Sequence, residues 1–176
     1  HESKGELVFH TDITTGKRPG CLYMPQAGLI FFENRYVQQA GSFFAHRTLG
    51  NLWRLGHYIP TQRMVMEVPN PRQTGEGYLK DAFSPTRFPI TTLFLAIAVS
   101  NPLIWADLQM LDPDDCAAMC RLMAIWKPYA KALFDSDVRP IGDDPEDYTV
   151  TGFHAVGETE GHLFITNYEG MTAKIP

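Results

Sequence analysis

Four stretches of this chain run apolar and then meet a carboxylate, and few folds accommodate that pattern. Residues 6–12 read Glu-Leu-Val-Phe-His-Thr-Asp and end on Asp12; Leu29-Ile30-Phe31-Phe32 leads straight into Glu33-Asn34-Arg35. Residues 63–69 carry Glu67 near their end, and Leu103-Ile104-Trp105-Ala106 stops at Asp107. Short, near-continuous apolar runs suit strands of a parallel sheet covered on both faces. Acidic groups at the same end of each strand then gather along one rim.

Helix-patterned segments separate the later strands. From His46 to Ile59 the apolar residues Leu49, Leu52, Trp53 and Ile59 fall near helical spacing, and Pro60 ends the run. Residues 89–99 are apolar nearly all round and too long for a buried strand, so a helix is expected there, stopped by Asn101-Pro102. A third helix should start at Asp112, with Pro113 in its first turn, Asp114 and Asp115 at the positive end of its dipole, and a kink at Pro128. Cys116 and Cys120 would share one face of it as buried thiols.

Beyond Phe134 the texture changes. Residues 135–147 are dense in Asp and Pro and read as a linker, and residues 148–155, 162–168 and 171–175 read as short strands between Gly-containing turns. The expected organisation is an α/β unit over residues 1–140, followed by a linker and the start of a β-domain over 141–176. The polar start at His1 and the strand-like end at Gly170–Pro176 lead us to expect a fragment of a longer chain.

A net charge of −5 over 176 residues argues against nucleic acid or an anionic membrane as partner, because both reward a basic face. No apolar run approaches the roughly 18 residues of a membrane span. No metal or organic cofactor is implied: His46 and His57 have no ligand partners at metal spacing, and Asp143-Asp144 lacks the Gly and Glu of a calcium loop.

A carboxylate-lined rim has a chemical use. In a (β/α) barrel the working groups come from the C-terminal ends of several strands. Glycoside hydrolysis needs one carboxyl to protonate the leaving oxygen and another to trap or stabilise the oxocarbenium-like sugar. Glu33 and Asp12 are the catalytic candidates. Asn34, Arg35, Tyr36, Glu67, Asn70 and Trp105 are candidate substrate-binding groups, the polar ones for sugar hydroxyls and the aromatic ones for a sugar face. Trp53 could stack in the same way, although it and Trp126 lie on expected helices and suit a core. Each acid taken singly could equally be a solvated strand end, and Arg35 could pair with Glu33 or Glu67 as scaffolding.

Five motifs in order resemble one known group: Glu33-Asn34-Arg35-Tyr36, the helix over residues 47–55, Met66-Glu67-Val68-Pro69-Asn70, residues 101–105, and Pro140-Ile141-Gly142 with Thr151-Gly152-Phe153. Together they look like the latter part of the melibiase-type α-galactosidases. The resemblance implies a partial (β/α)8 barrel, about strands 5 to 8, followed by the first strands of a β-sandwich. It implies a retaining, two-carboxylate hydrolysis of terminal α-linked sugars such as α-galactosides, with the rest of the parent barrel as partner and an oligosaccharide or glycoside as substrate. The nucleophile would then lie upstream of His1. Where relatives carry an acid after the Asn-Arg-Tyr segment, this chain has Val37-Gln38-Gln39, and glutamine cannot donate a proton as a carboxylic acid does. Glu33 supplies the proton, or the role has moved, or catalysis has been lost and a carbohydrate-binding protein or inactive barrel fragment remains.

Overall fold

A computed structural model of the chain describes residues 10–12, 28–31, 45–71, 84–104, 108–145 and 150–167. Four short strands form a parallel sheet: β1 (His10–Asp12), β2 (Leu29–Phe31), β3 (Met64–Glu67) and β4 (Asn101–Leu103). They stand side by side in chain order. Helix α1 (Ala45–Gly56) connects β2 to β3, and α2 (Ile90–Leu95) precedes β4. The long α3 (Pro113–Asp135) then leads into three antiparallel strands, β5 (Asp137–Gly142), β6 (Val150–Val156) and β7 (Gly161–Asn167).

The helices cover one face of the parallel sheet. Met64 and Met66 of β3 are fully buried in one cluster with Leu49 and Leu52 of α1, Leu93 and Phe94 of α2 and Leu133 of α3. Alternation along a strand sends Val65 and Glu67 to the other face, and both are buried there too. All four residues of β3 are therefore inside, as the continuous apolar run leads one to expect of a parallel strand.

Local chemistry explains the helix ends. The Asp112 carboxylate accepts from the Asp115 N–H at 2.8 Å, and Pro113 occupies the first turn. The helix continues through Pro128, whose missing N–H releases the carbonyl of Ala124; both residues are exposed, so water can satisfy it. Trp126 packs edge-on against Phe94 with ring centres 5.5 Å apart and donates its indole N–H to the Ala98 carbonyl at 3.0 Å. No helix among the described residues is long and apolar enough to cross a membrane.

Four expectations need correction. The helix expected over residues 89–99 is regular only over Ile90–Leu95; it then tightens into turns, with Ile97 N–H on Phe94 O and Ser100 N–H on Ile97 O. Asn101-Pro102 does more than stop that helix: both residues belong to β4, where Pro102 is tolerated because β4 is the last strand of the described sheet. The segment expected to be a linker contains β5, whose residues pair with β6 from Asp137↔Val156 to Gly142↔Thr151. Finally, Cys116 is half-buried and Cys120 exposed. The inward stripe of α3 passes through Met119, Leu122, Met123 and Trp126, and Cys120 points away from it.

The antiparallel sheet rests on the α/β unit. Val138, Phe153 and Ala155 join the same buried cluster as the helices. Trp53 donates its indole N–H to Ile141 O at 3.1 Å, and Arg54 grips Asp144 through Nε and Nη2 at 2.7 and 2.8 Å. Gln62 donates to the carbonyls of Leu133 and Ser136, tying the loop before β3 to the end of α3.

Candidate functional site

The rim at the C-terminal ends of the parallel strands is built by β1 and β3 among the described residues. Asp12 closes β1 and is level with Phe31, which is in turn level with Val65. Glu67 closes β3, two residues beyond Val65 and level with Leu103. Pairing continues one residue further through Val68 N–H on Leu103 O at 2.9 Å. At about 4.8 Å between strands and about 3.3 Å per residue, the backbones of Asp12 and Glu67 stand roughly 12 Å apart. The two acids share a rim and sit on strands separated by β2.

Glu67 is the informative member. Only 7% of it is exposed, on the sheet face opposite the helices. A carboxylate this deep costs free energy unless its oxygens are paired, and Glu67 does have a partner. Asn70, three residues on and half-buried, is likewise engaged. Buried Val68 and Pro69 hold the backbone between them.

The remaining expectations divide simply. Glu33, Asn34, Arg35, Tyr36, Trp105 and Asp107 lie outside the described residues, and of Asp12 only the backbone position is described. Trp53 is not a free stacking surface. Its ring is half-buried between α1 and β5, anchored by the bond to Ile141 and packed edge-on against His57 at 4.6 Å. No group of three or more His, Cys, Asp or Glu among the described residues could hold a metal ion.

A second feature, with no counterpart among the expected site residues, lies at the opposite end of the sheet. A cavity of about 620 Å³ opens where the end of α1 and the loop before β3 meet the end of α3 and β5. It is lined by His57, Tyr58, Phe134, Asp137 and Arg139, among others. Arg139 donates from both Nε and Nη2 to Oδ2 of Asp137. That hydrogen bond, and then the carboxylate's charge, raises the guanidinium above its ordinary pKa. The available signal was the alternation of Asp137, Val138 and Arg139, submerged in a stretch whose Asp and Pro content resembles a linker.

No protein-family model matches the chain, and no curated protein matches it.

Proposed function

We propose that the chain is part of a retaining glycoside hydrolase of the melibiase type, acting on terminal α-linked sugars such as α-galactosides. The observation that carries this reading is the sheet itself: four parallel strands in sequential order, the helices among the described residues on one face, and a buried glutamate on the other face at a strand's C-terminal end. A doubly wound sheet puts helices on both faces, whereas sequential strands with one helical face are the arrangement of a barrel arc. In such an arc the face bearing Val65 and Glu67 is the barrel interior.

Register supports the choice of acids. Phe31 is level with Val65, and Glu33 follows Phe31 in the sequence by two residues, as Glu67 follows Val65. In this reading Glu33 is the proton donor and Asp12 a second rim carboxylate. Asn34, Arg35, Tyr36, Glu67, Asn70 and Trp105 bind the sugar, and the nucleophile comes from a preceding strand of the parent barrel. The three antiparallel strands open a β-sandwich.

The test is hydrolysis of an aryl α-galactoside by the parent protein that contains this chain. Turnover should fall by at least about a hundredfold in Glu33→Gln, the low end of what one general acid contributes. Absence of turnover in the parent, with sugar binding unchanged in Glu33→Gln, removes the proposal. A second reading is motivated by Val37-Gln38-Gln39, where an acid was expected: a carbohydrate-binding relative without catalysis. Calorimetry showing oligosaccharide binding by the parent without hydrolysis selects it.

A further inference from the structure

The cavity at the junction of the two sheets has a chemistry of its own, independent of the carboxylate rim. It adjoins Gln62 and Arg63, just before β3 begins, whereas Glu67 closes the same strand at its other end. Its volume of about 620 Å³ lies within the range of small-molecule sites.

Two features of the lining converge. The first is aromatic. Tyr58 lies two residues beyond the end of α1 with 87% of its surface exposed, and its neighbour His57 is held edge-on against the anchored ring of Trp53. A large ring left so bare beside a cavity is a ready platform for the C–H face of a ligand. The second is the Asp137–Arg139 fork. Both guanidinium bonds go to Oδ2, which leaves Oδ1 as an acceptor and Nη1 as a donor, each with no partner among the described residues. One acceptor beside one donor is the complement of a vicinal diol, in which each hydroxyl both gives and receives. The carboxylate disfavours an anion and the guanidinium a cation, so the fork selects a neutral ligand.

We infer that this cavity binds a sugar ring or comparable neutral polyol, with its apolar face on Tyr58 and a vicinal diol on Asp137 and Arg139. The site sits where the antiparallel sheet meets the α/β unit, a preferred place for pockets. Its ligand would touch both, and binding would couple them.

The test is an NMR titration of the full chain with methyl α-D-galactopyranoside, and separately with inorganic phosphate. Saturable shifts are expected at Tyr58 and Arg139 with the glycoside and not with phosphate. Tyr58→Ala and Asp137→Asn should each weaken binding about tenfold, the equivalent of one good contact. Both residues are exposed, and an unchanged thermal melt shows that the fold is kept. The inference is overturned if the glycoside moves neither residue, if Tyr58→Ala binds as well as the parent chain, or if phosphate is preferred. Glycoside shifts confined to the residues around Glu67, with none at Tyr58 or Arg139, also overturn it, because the sugar would then belong to the opposite rim. The outcome is therefore separable from that of the hydrolase reading.

Discussion

The two sheets bury their strands differently. In the parallel sheet every residue of β3 is inside, and its one charged member, Glu67, is inside with the rest. In the antiparallel sheet β7 alternates along its length: His162, Phe164 and Thr166 are half-buried, while Leu163 is 55% exposed and Ile165 is also bare. A parallel strand needs cover on both faces, whereas an antiparallel one tolerates solvent on one side. A polar group on a parallel strand must therefore be accommodated at a cost. The equivalent group on the outer face of β5, Asp137 or Arg139, costs little. For this reason Glu67 is the more telling residue, even though Asp137 and Arg139 are the more visible pair.

Substitutions in the two sheets test this difference. The largest effect is expected for Phe94→Ala, because Phe94 is fully buried in the cluster that both sheets share. A loss of about 4 kcal/mol, read by urea denaturation, should appear together in probes of both sheets. Separate transitions would show that the sheets do not share a core. Next comes Gly152→Ala, confined to the antiparallel sheet. A methyl group there would lie 1.8 Å from the Phe164 carbonyl oxygen, backbone against backbone. We expect a loss of about 3 kcal/mol, with hydrogen exchange accelerated in β6 and β7 more than in β3. Uniform acceleration would contradict it.

Smaller effects test the seam and the bare face. Arg54→Ala removes the two-bond grip on Asp144 between α1 and the β5–β6 connection. Both side chains are partly exposed, so about 1 kcal/mol is expected, shrinking in high salt. A salt-independent loss would point to packing of the arginine stem instead. Leu163→Thr, on the uncovered face of β7, should change stability by no more than about 0.5 kcal/mol. A larger loss would mean that this face is covered.

The sequence made much of this arrangement legible. Apolar runs ending in acids located β1, β2 and β3, and the Asp112-Pro113 signature located α3, where cap chemistry acts within a few residues of itself. The errors share a cause. Asn101-Pro102 was read as a helix stop because proline punctuates helices; an outer strand accepts proline equally well, and nothing local distinguishes an outer strand from an inner one. Likewise β5 was hidden because Asp137, Arg139 and Pro140 look like loop residues until β6 lies beside them. Cys120 was expected inside because helical spacing relates it to Cys116, but spacing does not say which stripe of α3 faces Phe94.

Local pattern specified β1 to β3, α1 and α3, since hydrophobic period, caps and breakers act over a turn or two. It also determined that acids follow the strands. Only the tertiary structure decided that the strands stand in sequential order with the helices on one face, and that Glu67 is buried on the other. It alone brought Tyr58 to Asp137 and Arg139 across the seam between the sheets. Those are relations between residues far apart along the chain, set by how covered faces pack together, and no local pattern carries them.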